Sequence, residues 1–155
     1  ADFRSLPIPT FVSWRGRKWI SPAPNLHYLH TSYLLPRFSI DATGRLWEGA
    51  TVTFIALQLA YYMGFKQVVL IGVDHSFATK GTPNTTVVST GDDPNHFNPA
   101  YFGKGFRWQL PDLETSELAY CMARDAYNND GREILDATVD GKLTVFPKVK
   151  FDSLF

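Results

Sequence analysis

The sequence predicts an α/β domain with a mainly parallel sheet. Three observations predict it. Residues 52–63 carry apolar side chains at helical spacing and stop at Gly64, where glycine adopts a left-handed cap most easily. Gln67 then leads into VVLIGV, a short β-branched run of the kind buried on both faces of a parallel sheet. Further on, Asp112 opens a second helical pattern, and REILDAT over 132–138 reads as a second strand ending in polar groups. A strand–helix–strand crossover is almost always right-handed with parallel strands, so both strands should end on one edge of the sheet. That edge is where α/β folds place ligands.

The bulk properties narrow the classes. At 155 residues, the chain 1–155 is expected to form one domain with a substantial core. With 45% hydrophobic and 15% aromatic residues it reads as globular rather than disordered. A formal net charge of zero gives no general attraction to nucleic acid or to an anionic membrane, so anion binding must come from local groups. Cys121 is the single cysteine, which excludes an intrachain disulfide and leads us to expect a reducing, cytoplasmic location. No apolar stretch is long enough for a membrane span, and no signal peptide is visible. The chain begins at Ala1 in mid-pattern and reads as a piece of a longer protein. Oligomerisation is left open.

Taken in order, residues 1–37 form an irregular entry punctuated by Pro7, Pro9, Pro22, Pro24 and Pro36. Segments 10–14 and 25–29 fit between the prolines as short or edge strands. Arg15, Arg17 and Lys18 cluster between Trp14 and Trp19. Such a cluster could hold phosphate, although a solvated turn beside two half-buried tryptophans is the favoured reading. Asp41-Ala42-Thr43-Gly44 signals a turn. Glu48-Gly49-Ala50-Thr51 leads into the first helix, with Thr51 or Thr53 as cap. Val52, Ile55, Ala56 and Leu59 share one face, which Phe54, Leu57 and Tyr61 widen. The N–H groups at this helix start, beside small Gly49 and Ala50, suit a phosphate or carboxylate. Glu48 opposes an anion there, and a plain helix entry is an equal reading.

Residues 75–111 show little apolar periodicity and many glycines and prolines, and are expected to be a long lid loop. Within it, 79–90 reads as a mobile flap. Residues 92–108 read as an ordered lid anchored by Phe97, Tyr101, Phe102, Phe106 and Trp108. In the second helix, Leu118, Cys121, Met122 and Ala126 fall on one face, so Cys121 reads as a small buried group rather than a nucleophile. Asn128-Asn129-Asp130-Gly131 ends that helix, and Asp140-Gly141 marks a turn after the second strand.

No G-x-S-x-G, P-loop, H-E-x-x-H or cysteine-based zinc spacing is present. The polar groups gather instead at the strand ends and in the lid. Asp74, His75 and Ser76 follow the first strand, and Asp136 and Thr138 end the second. Transfer from a phosphate-activated donor needs hydrogen-bond donors for the leaving phosphate, for which Arg107, Lys104, Ser76 and loop N–H groups are candidates. It needs a general base for the acceptor hydroxyl, His75 or His96. A divalent metal, if used, needs carboxylates such as Asp74, Asp92 and Asp93. Each also has a plain reading: Asp92-Asp93-Pro94-Asn95 is a good turn, and His75 could simply hydrogen-bond at the sheet edge.

Here EGATVTFIALQLAYYMGFKQVVLIGVDHSF, over 48–77, resembles the signature stretch of the MptE-like domain family. DDPNHFNPAYFGKGFRW, ELAYCMARDAYNNDGREILDAT and GKLTVFPKVKFDSLF are similar to further parts of that pattern, so the resemblance covers about 38–155. It implies a three-layer Rossmann-like fold. The family's named member transfers diphosphate from ATP to 6-hydroxymethyl-pterin with Mg2+. The family also resembles Campylobacter-type sialyltransferases, which use a CMP-sugar without an essential metal, and flagellin glycosyltransferases carry a related domain. The sialyltransferase G-[IV]-D motif carries over onto Gly72, Val73 and Asp74. The first donor-binding tyrosine position falls on Ser76, and the general-base histidine position falls near Trp108 or Gln109. Gln109 is not a base, which leaves His96 as the substitute.

Together these readings lead us to expect a transferase using a nucleotide-activated small molecule, with glycosyl transfer to a hydroxyl first. Diphosphate transfer from ATP, with Mg2+ on Asp74, Asp92 or Asp93, is second. A non-catalytic nucleotide- or sugar-binding module is the reading of another class. The expected donor-phosphate site comprises Gly49, Ala50, Thr51, Gly72, Ser76, Arg107, Gln109, Asp136 and Thr138.

Overall fold

A computed structural model of the chain describes residues 5–77, 81–91 and 103–154. It has strands β1 (Thr10–Ser13), β2 (Leu26–Ser32) and β3 (Arg45–Trp47), helix α1 (Val52–Tyr62) and strand β4 (Gln67–Leu70). Strands β5 (Thr86–Val88) and β6 (Arg107–Gln109), helix α2 (Leu113–Asn129) and strand β7 (Glu133–Asp136) follow. The α/β class and the parallel pairing hold. β1–β2–β3 form one parallel sheet and β4–β7 another, with Gln67 opposite Glu133 and Leu70 opposite Asp136.

Among the described residues the parallel strands form two separate sheets, and Gln58 occupies the outer edge of β3. Glu48 donates to the Ser32 carbonyl, so alternate backbone groups of β3 face β2 and those of Trp47 face away. Trp47 N–H donates to Gln58 Oε1 (3.2 Å), and Gln58 Nε2 donates to the Trp47 carbonyl (2.8 Å). A side-chain amide thus stands where the next strand would pair. Gln58 is fully buried, accepts also from Ser39 N–H and donates also to the Phe54 carbonyl.

Other expectations need correction. Residues 1–37 are not merely an irregular entry: β2 is the central strand of its sheet, because the prolines fall before Leu26 and after Ser32. The stretch 75–111 is not all loop. β5 and β6 pair antiparallel, Val87 opposite Trp108, and the β-branched residues Thr86, Val87 and Val88 explain why part of the expected flap is a strand. The buried face of α2 is Ser116, Ala119, Tyr120, Ala123 and Tyr127, whereas Leu118 is 49% exposed and Cys121 half-buried. The aromatic residues won this choice of face: Tyr127 packs edge-to-face with Phe38 and Tyr61 and donates its hydroxyl to the Leu57 carbonyl.

Helix ends follow local chemistry. Thr51 caps α1 by accepting from Thr53 N–H, and Asp112 caps α2 by accepting from Thr115 N–H and from its hydroxyl. Both helices close in a Schellman motif. Gly64 N–H and Phe65 N–H bond Tyr61 and Ala60, and Gly131 N–H and Arg132 N–H bond Asn128 and Tyr127. α1 and α2 pack together beside β4–β7 around Phe54, Leu57, Tyr120, Tyr127, Ile134 and Phe146. Among the described residues, no helix is long and apolar enough to cross a membrane.

Candidate functional site

The start of α1, the turn after β4 and the first turns of α2 surround one cleft of about 360 Å3. Its walls are Ala50, Thr51, Val52 and Thr53 on one side and residues 72–77 on another, with Pro111, Ser116 and Tyr120 closing it. This joins the two places where the sequence predicts anion binding.

Each wall has a local cause. Gly49 has φ 53° and is buried against α2; a Cβ there would lie 2.7 Å from Ala119 Cβ and closer still to the Phe54 ring. Only glycine lets the α1 entry approach α2 this closely. Ala50 follows at φ 58°, so two consecutive left-handed residues swing the chain into the Thr51 cap. Thr51 Oγ1 lies 3.3 Å from the Tyr120 hydroxyl, which ties the cap to α2. The cap is neutral, so the partial positive charge of the α1 terminus faces the cleft without a carboxylate cap, unlike that of α2, which Asp112 caps.

The opposite wall is also bent. Gly72 has φ 71° and His75 φ 52°. Val73 N–H donates to Thr138 Oγ1 (3.0 Å), and Lys142 N–H donates to the Asp74 carbonyl (2.8 Å), which fixes the turn from the β7 side. His75 Nε2 lies 3.4 Å from Glu117 Oε2, and its ring stands edge-on to Tyr120. Four non-glycine residues among those described have positive φ. Asn84, Asp140 and His75 are residue types enriched at such angles, which leaves Ala50, at the cleft wall, as the unusual one. A left-handed alanine at a concavity is a local strain of the kind found at working sites.

The predicted site residues therefore divide. Ala50, Thr51, Gly72, Asp74, His75 and Ser76 line the cleft, and Gly49 shapes it from behind. Asp136 does not line it. Its carboxylate is fully buried, accepting from Thr138 N–H (2.8 Å) and from Lys148 Nζ (2.6 Å), and it ties β7 to the segment at Lys148. Thr138 is buried and supports Val73 from below. Arg107 and Gln109 are exposed on β6, outside the cleft lining. Asp92, Asp93 and His96 lie outside the described residues. Of the three proposed metal carboxylates only Asp74 is described, and no group of three metal-ligating side chains occurs among the described residues. Glu117, Ser116 and Tyr120 were not foreseen. Ser116, Ala119 and Tyr120 fall four, seven and eight residues after the Asp112 cap and so share the buried face of α2, a spacing that could have found Ser116 and Tyr120, whereas exposed Glu117 carried no such signal.

No protein-family model, no curated protein and no solved structure matches this chain.

Proposed function

We propose that the cleft binds the phosphate of a nucleotide-activated donor and that the protein transfers the donor's glycosyl group to a hydroxyl acceptor. The observation that carries this reading is the meeting of the α1 N-terminus with the bent turn of residues 72–77 in one cleft. Helix N-termini favour phosphate through their N–H groups and dipole, and parallel strands in α/β folds deliver ligands to their carboxyl ends. On this reading the two parallel sheets are parts of a Rossmann-like arrangement, and the resemblance of residues 48–77 to MptE-like domains points the same way.

The chemistry follows from the walls. The leaving phosphate sits against the α1 start, with Thr51, Thr53 and Ser76 hydroxyls within the same lining. His75, beside Glu117, accepts the acceptor's hydroxyl proton. The acceptor oxygen forms the new glycosidic bond, and the bond from the sugar carbon to the phosphate oxygen breaks with its electron pair leaving on the nucleotide. Val52, 79% exposed at the cleft wall, offers an apolar surface to a base or sugar face.

Thermal-shift measurements with CMP, UDP, GDP and ATP, each with and without Mg2+, test this, because a ligand stabilises by mass action. A Tm rise with CMP, UDP or GDP without metal supports the reading. A response to ATP alone, and only with Mg2+, favours diphosphate transfer. No response to any nucleotide removes both.

A further inference from the structure

The basic cluster of residues 15–18 divides in the structure. Arg17 lies over the Trp14 ring, 4.5 Å from its centroid, and donates from Nη1 to the Trp14 carbonyl. Arg15 has a different setting. It lines a depression of about 420 Å3 with His30, Ser32, Tyr33 and Arg45, and among the described residues no acidic side chain is in its walls.

Three elements bring these groups together. Arg15 comes from the 3-10 turn that Ser13 caps at the end of β1. His30 and Arg45 are register partners on β2 and β3, so their side chains start as neighbours on one face. Ser32 is two residues beyond His30 and shares that face. The net charge of the chain is zero, so the grouping is not a by-product of a basic protein. Both permanent cations are arginines, whose planar forks match phosphate oxygens in pairs.

We propose that this depression is a second anion site, one that takes the phosphate group of a small molecule through Arg15 and Arg45. The assignment does not rest on the transferase reading of the cleft. The two sites are nevertheless connected along the surface. Tyr33 also borders a smaller hollow with Ala50, and Ala50 is a wall of the cleft.

A 1H–15N NMR titration with sodium pyrophosphate at low ionic strength tests it. The Nε–H signals of Arg15 and Arg45 and the amides of His30 and Ser32 should shift and saturate. The Arg17 Nε–H signal should move little, and the amides of residues 50–53 report the cleft separately. In R15Q/R45Q the His30 and Ser32 shifts should need about tenfold more pyrophosphate or more, since charge-assisted hydrogen bonds are the strong ones. R17Q/K18Q removes the same charge and should leave them nearly unchanged. R15K/R45K keeps the charge but loses the fork, and should fall between the two. Absence of saturable shifts at Arg15 and Arg45, or equal weakening in both glutamine pairs, overturns the proposal.

Discussion

At the end of β4 the chain builds a concave surface from backbone, and beside β2 and β3 it builds one from side chains. The cleft depends on Gly49, Ala50, Gly72 and His75 holding left-handed conformations and on the α1 terminus facing inward. The depression depends on where Arg15 and Arg45 point from regular elements. The two should therefore fail differently. A backbone-built site is sensitive to an added methyl group and tolerant of charge changes nearby. A site built from side chains behaves in the opposite way.

The largest effect should come from Gly49→Ala. Overpacking costs about 1–3 kcal/mol and a left-handed alanine about 1–2 kcal/mol, so about 3 kcal/mol of stability should be lost in thermal or urea melts. Loss of less than about 1 kcal/mol would show that the α1 entry is not wedged against α2. Gln58→Leu comes next. It strands the Ser39 N–H, the Trp47 N–H and the Trp47 carbonyl, and should cost about 2–3 kcal/mol. A near-neutral result would mean that β3 does not depend on this amide for its outer edge.

His75→Gly separates chemistry from architecture within the cleft. It removes the imidazole yet suits a φ of 52°, so turnover should fall about 100-fold or more, while relief of the left-handed backbone offsets part of the packing lost against Tyr120. A smaller effect is expected in the core. Burial pushes the Tyr127 phenol up to about 12 from an ordinary 10.0. The folded state thus favours the neutral phenol, and the stabilisation it carries is complete below pH 10 and is lost as pH rises from there through about 12. Tyr127→Phe should remove that alkaline slope and cost about 1 kcal/mol at neutral pH through the lost bond to the Leu57 carbonyl. A variant with the wild-type alkaline profile would contradict this assignment.

Periodicity and caps made the local elements legible. Gly64, Thr51 and Asp112 mark helix ends in the sequence and act as such in the structure, and the VVLIGV run does contain a strand parallel to the one ending at Asp136. Periodicity did not reveal which α2 face is buried. Leu118 and Tyr120 are both apolar, and the choice was made by the partners Phe146 and Thr51 that Tyr120 meets across the chain. The capping of the β3 edge was illegible for a similar reason, because a helical glutamine does not announce that its amide will bond a strand edge. Within the site, the polar cluster at 74–76 could be read, since strand ends collect ligands. The inward burial of Asp136 could not, because its partner Lys148 lies 12 residues away on a segment without strand periodicity.

The central claim is that residues 50–53 and 72–77 form one phosphate-binding cleft. Backbone 1H–15N spectra recorded during titration with CMP, UDP and GDP test it most directly. We predict that at least one nucleotide produces saturable shifts at the amides of Thr51, Val52, Thr53, Asp74, His75 and Ser76 together, with little change in β1. Shifts confined to other surfaces, or none with any of the three nucleotides, would contradict it.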